Sequence, residues 1–97
     1  MITIKDVQSI ALMREAGQRL LEIFQQLPSL IQAGVTTAEI DSFIDSEQKK
    51  RSLISMSKGY MGYKHASCIS VNDEIVHGVP GTYVLRSGDF VKVDVCA

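Results

Sequence analysis

Two cysteines, Cys68 and Cys96, are all that the 97 residues contain, and they form no CxxC pair. So sparse a set is no disulfide framework, and it points to a reducing, cytoplasmic setting. No apolar run approaches the ~20 residues needed to cross a bilayer. The N-terminus lacks a basic segment followed by an apolar core, so no signal peptide is expected. Basic excess is missing too. Ten Lys and Arg face eleven Asp and Glu, for a net charge of −1. Domains that grip phosphate backbones usually carry a strong positive excess, so nucleic acid is not expected as a main partner. There is no Walker or dinucleotide fingerprint, and Gly59-x-x-Gly62 is too short for a phosphate loop. There is also no internal repeat, low-complexity tract or linker. What is left is an ordinary globular composition, 45% hydrophobic, 22% charged and 6% aromatic, in a length that holds one domain at most.

A chain this short buries only roughly 60–65% of its unfolded surface, so its stability margin is small. Phe90 to Ala97 reads as a strand, and a chain stopping inside a strand looks cut. The expectation is therefore a single incomplete domain over residues 1–97, with an unpaired edge at Val91 to Val95.

Apolar periodicity opens the chain. Ile10, Met13, Gly17, Leu20, Phe24, Leu27 and Ile31 recur every three or four residues along one helical stripe, widened by Leu21, Ile23 and Leu30. Asp6 is placed to cap its start. Pro28 should kink its last turns, and Gly34 should end it as a left-handed residue. Thr36-Thr37-Ala38-Glu39 fits a capping box for a second helix with Ile40, Phe43 and Ile44 on its apolar face. Glu47 to Arg51 reads as a polar, basic exit from that helix. Ser52 to Lys58 reads as loop. Beyond it, Ser67 to Val71, Ile75 to His77 and Phe90 to Val95 read as strands, Thr82 to Leu85 as extended, and the segments between them as turns. Helices first and strands after define an α+β architecture, with two N-terminal helices packed on an antiparallel sheet.

Four places could carry chemistry. Alternation puts Val91, Val93 and Val95 on one face of the last strand, and Phe90, Lys92 and Asp94 on the other. Asp is disfavoured in strands. Asp94 is either a solvated aspartate paired with Lys92, which spacing alone favours, or a carboxylate whose partner is a divalent metal. His77 stands ahead of Gly78 and Pro80. It is either an ordinary surface histidine, again favoured by pattern alone, or a group that ligates a metal or exchanges a hydrogen bond with a substrate amide. Tyr60, Tyr63 and Cys68 either wall an apolar pocket suited to a thioether or pack a glycine-rich loop on the sheet. Cys68 has no histidine partner or helix N-terminus in sequence to make it a nucleophile, and His65 reads as a loop side chain.

The combination goes further than its parts. Lys58-Gly59-Tyr60-Met61-Gly62-Tyr63, the run from Ser67 through Asn72 and His77 to Gly81, and Leu85-x-x-Gly88-Asp89-x-Val91-x-Val93-Asp94 closely resemble type I methionine aminopeptidases. Met13 to Gly17 and Gly34 to Asp41 match that family's opening helices, so the similarity spans essentially the whole chain. The resemblance implies the N-terminal part of a pita-bread (creatinase/aminopeptidase-like) fold. It also implies metal-assisted removal of the initiator methionine from nascent polypeptides in the cytoplasm. Two divalent ions (Co, Mn, Fe or Zn) are implied per complete site, held by two Asp, one His and two Glu. On this chain Asp94 would be a metal ligand and His77 the group that contacts the scissile amide, with Tyr60, Tyr63 and Cys68 lining the methionine pocket. Proximity to the ribosome and a monomeric complete enzyme are part of the same implication, and no membrane partner is. Lys64 stands where many members carry proline, and Met61 where a histidine is common, which alters the pocket rim. The other metal ligands would lie beyond Ala97, so the 97 residues alone are expected to have no peptidase activity. Two rivals share the fold: a catalytically dead scaffold and a proline-specific peptidase.

Overall fold

The computed structural model describes residues 2–97. Helix α1 runs Val7–Leu30 and α2 Thr37–Lys50; a short 3-10 turn at Tyr60–Gly62 precedes β1, Ser67–Val71, and β2 is Val91–Val95. The start of α1 follows the sequence expectation, with the Asp6 carboxylate accepting the Ser9 amide at 2.7 Å. Only the C-terminal half of its stripe is used. Ile23 and Leu27 are buried, with Leu20 and Leu30 packed beside them, while Ile10 and Met13 are exposed.

The end of α1 departs from expectation. Pro28 sits inside the helix. Its missing N–H removes one rung of the ladder, and the helix closes at Leu30. Ile31 takes an extended conformation as the cap and donates to Leu27 O at 2.9 Å. Gly34 lies further on, with φ +97°. It shapes the turn between helices, and its amide donates to Leu85 O at 2.8 Å.

Thr36 and Glu39 form the capping box reciprocally, at 3.1 and 2.8 Å. Ile40 and Ile44 are fully buried. The stretch expected to be a polar exit is divided: Lys49 and Lys50 are exposed, but its first two residues belong to the interior. Glu47 is buried and Gln48 is 1% exposed. The cause is tertiary: the end of α2 is sandwiched between α1 and the segment leaving β2. Arg51 reaches Glu22 of α1 at 2.9 Å and Glu47 at 3.5 Å. Gln48 Nε2 donates to Cys96 O at 3.4 Å.

β1 and β2 pair antiparallel, with Ser67 opposite Val95, Cys68 opposite Asp94 and Val71 opposite Val91. Ile69 and Val71 join Ile23, Leu27, Ile40, Ile44, Ala66 and Leu85 in the core, and Val91, Val93 and Val95 pack against it. Cys68, Ser70, Lys92 and Asp94 therefore occupy the opposite face of the ribbon. Among the described residues β2 has no second strand neighbour. The expected strand at Ile75 to His77 is absent. Ile75 and Val76 are 80% and 62% exposed and find no pairing partner, so their β-branched character goes unused. The stretch at Thr82 to Leu85 is anchored, since Val84 bridges Thr36 and Leu85 fills the core beside α2.

Candidate functional site

Tyr60, Tyr63, Cys68 and His77 come together on the face of the sheet away from the helices. With Ser57, Met61 and Gly62 they line an open pocket of about 450 Å³. Local backbone chemistry builds its outer wall. Gly59, Met61 and Gly62 all have positive φ, at +89°, +49° and +83°. These left-handed steps curl the segment so that Gly59 N donates to Tyr63 O at 2.6 Å and Tyr63 N to Tyr60 O at 2.9 Å. Glycine adopts such steps at little cost, whereas Met61 does so under strain. Its side chain stays on the exposed rim.

Tyr63 forms the inner wall. Its hydroxyl donates to Ser67 O at 2.8 Å. Burial, together with the neighbouring Cys68 thiol, pushes the phenol pKa well above the usual tyrosine range. The ring therefore stays neutral, as a donor with an apolar body. Its position is set from behind. The His65 ring meets it edge-on at 5.5 Å, and His65 Nδ1 lies 3.4 Å from Asp41 Oδ2. Asp41, buried on α2, also accepts the Ala66 amide at 3.0 Å and the Ser67 hydroxyl at 2.6 Å. Sequence reasoning missed this anchor and gave His65 no role. The available signal was a carboxylate adjoining the apolar positions Ile40 and Ile44 of a helix.

His77 reaches the pocket from the long loop after β1, with φ +61°. The next residue locks it. Ile69 N donates to Gly78 O at 2.8 Å, and Gly78 N donates to Ser70 Oγ at 2.9 Å. A Cβ on Gly78 would stand 2.2 Å from Ile69 O, so only glycine allows this close approach. Ser57 was also missed as a lining residue, and no feature of its local sequence marks it.

Asp94 is exposed and lies across the ribbon from Cys68, on the pocket's face. The favoured pairing with Lys92 is not made. Lys92 Nζ donates to Asn72 O at 2.8 Å and sits 5.1 Å over the Phe90 ring. Asp94 thus presents its carboxylate outward beside the pocket. Among the described residues, no three His, Cys, Asp or Glu side chains gather in a group that could hold a metal. One carboxylate does not make a divalent site. These residues by themselves do not fit a catalytic metal. A second cleft of about 430 Å³, bordered by Thr37, Val71 and Tyr83, contains none of the candidate residues.

Helices on one side of an antiparallel ribbon and an open pocket on the other define an α+β domain. Residues 11–97 match the model of metallopeptidase family M24. The chain belongs to that family, whose members are metal-dependent peptidases. It is 38% identical to methionine aminopeptidase 1 of Bacillus subtilis over all of this chain and 39% of that protein. It is also 38% identical to the methionine aminopeptidase of Clostridium perfringens, over 97% of this chain and 38% of the relative. The crystal structure of methionine aminopeptidase from Thermotoga maritima superposes with a TM-score of 0.93 at 38% identity, covering 98% of this chain and 39% of that one. The resemblance read from the sequence therefore stands. The chain spans about two-fifths of the length of these relatives.

Proposed function

We propose that these residues form the N-terminal part of a methionine aminopeptidase, one that removes the initiator methionine from nascent polypeptides. The observation that carries this reading is the pocket itself. Two tyrosines, a cysteine and a rim methionine offer polarizable, amphipathic walls for a thioether side chain. His77 stands at the same pocket, where its imidazole can exchange a hydrogen bond with the scissile amide. Tyr63, kept neutral, contributes an apolar wall rather than a charge. Asp94, on the adjoining strand, is the residue we assign to the metal. Metal-assisted hydrolysis with two divalent ions (Co, Mn, Fe or Zn) is the chemistry implied for the complete site, with its other ligands supplied from outside these residues. The family resemblance adds to this reading a cytoplasmic setting, proximity to the ribosome and a complete enzyme that works as a monomer.

The test is an NMR titration of the labelled chain with L-methioninamide, with prolinamide as the control. Methioninamide is expected to shift the Tyr60, Tyr63, Cys68 and His77 resonances at low-millimolar concentration, about −4 kcal/mol of binding. Prolinamide is expected to leave them in place. Equal responses to the two amides would mean that the pocket does not select a methionine side chain, which would overturn the reading. No response at these four residues up to about 10 mM would refute the pocket assignment.

A further inference from the structure

His77 holds a left-handed backbone, which is uncommon for a residue other than glycine and needs support from its surroundings to persist. Ile75 and Val76, just before it, are largely exposed, and the turn ahead of them is tied to β1 at Glu74, whose amide donates to Val71 O at 3.2 Å and whose carboxylate accepts the Val71 amide at 3.0 Å. The restraint nearest to His77 is Gly78, which is buried against β1 by one hydrogen bond from Ile69 N and one to Ser70 Oγ. Only the second of these depends on a side chain. Ser70 is 2% exposed. Serine is mostly found exposed and adds little apolar packing at a buried position. Its hydroxyl has a specific task here, which is to satisfy an amide that would otherwise be buried without a partner. Ser70 also shares the strand face of Cys68, so the pocket floor and the anchor of the histidine loop grow from the same rigid element.

We propose that Ser70 is the positioning residue for His77: by accepting the Gly78 amide it holds His77 left-handed and its imidazole at the pocket. The functional meaning rests on the role assigned to His77 above, but the coupling between the two residues is testable without it.

The experiment is NMR on the whole chain, reading Gly78 amide exchange and the backbone couplings that report the sign of φ at residue 77. Ser70→Ala is expected to speed Gly78 exchange at least about tenfold beyond any change at Ile40 and Ile44. It is also expected to move His77 to negative φ, and Ser70→Thr is expected to restore both readouts. An unchanged sign of φ with unchanged Gly78 exchange would overturn the proposal. So would a speed-up shared equally by Ile40 and Ile44, which would mean a purely structural serine. If Ser70→Ala does not fold, the same change is made in a His77→Gly background, where glycine tolerates positive φ without restraint. A folded double variant, or one whose unfolding constant rises at least about threefold less than in the parent, supports the coupling. Equal damage in both backgrounds overturns it. A methioninamide titration that leaves His77 unmoved would remove the proposed function while these readouts still decide the role of Ser70.

Discussion

Replacing Gly78 by alanine would place a Cβ 2.2 Å from Ile69 O, 2.8 Å from Ile69 C and 2.8 Å from Ser70 Cα. All three are main-chain atoms in the middle of β1, so no side-chain rotation relieves the clash. The loop must lift from the strand. Doing so breaks the Ile69 N to Gly78 O and Gly78 N to Ser70 Oγ hydrogen bonds, each worth about 1 kcal/mol. Overpacking adds about 1–3 kcal/mol. The expected loss is about 3–5 kcal/mol, against about 5–15 kcal/mol for a domain of this size. Urea unfolding followed by far-UV circular dichroism measures it, read as a fall in midpoint at constant slope. The sign is what discriminates. A glycine with room for a methyl group gains stability on replacement by alanine, about 0.4–1 kcal/mol, because the unfolded chain loses freedom. Gly17 is such a case, lying inside α1 with nothing within 4 Å of a built Cβ. Gly17→Ala is therefore expected to stabilise by about 0.5–1 kcal/mol in the same assay. A Gly78→Ala chain within about 0.5 kcal/mol of the parent would refute the close approach, and with it the argument for how His77 is held.

At acid pH, the Asp89 carboxyl titrates below its usual range because it accepts the Arg86 amide first, and then the Asn72 and Tyr83 side chains. A depressed folded-state pKa means stability that is present above about pH 3.9 and lost as pH falls through the folded value. Asp89→Asn should flatten that acid limb in pH-dependent unfolding, and an unchanged limb would contradict the assignment. Burial raises the Tyr63 phenol, so its contribution is intact below about pH 10 and is lost as pH climbs toward the folded value. Tyr63→Phe should lower the neutral plateau, through the lost bond to Ser67 O, while weakening the alkaline decline. Asp94 is exposed, so Asp94→Asn should leave the unfolding free energy of this chain within about 0.5 kcal/mol; a larger loss would show a structural role. The 97-residue polypeptide with added Co²⁺ or Mn²⁺ should release no methionine from a Met-Ala peptide, because no metal-holding cluster exists among its described residues; measurable release would sink that expectation.

Much of the fold was legible because its causes are local. A cap is made by neighbours in sequence, so Asp6 and the Thr36–Glu39 box could be read directly. The helical stripes and the two paired strands follow from side-chain periodicity. The resemblance to methionine aminopeptidases drew on the same linear pattern. Ile75 to His77 failed because propensity describes what a segment can do, and no edge was offered to it. Glu47 and Gln48 failed because polarity forecasts exposure only where nothing covers the residue. Here α1 and the exit from β2 do.

By itself, then, the sequence determined the helix starts, the two strands that pair and the family, since each is encoded over a few neighbouring residues or one continuous motif. Only the tertiary structure decided that Cys68 faces Asp94, that Asp41 supports Tyr63 through His65, and that Ser70 reaches the residue after His77. Each of those depends on strand register, on α2 packing behind the sheet, or on a loop folding back against β1. Such contacts join residues 8 to 26 positions apart, a separation at which no local rule of spacing operates.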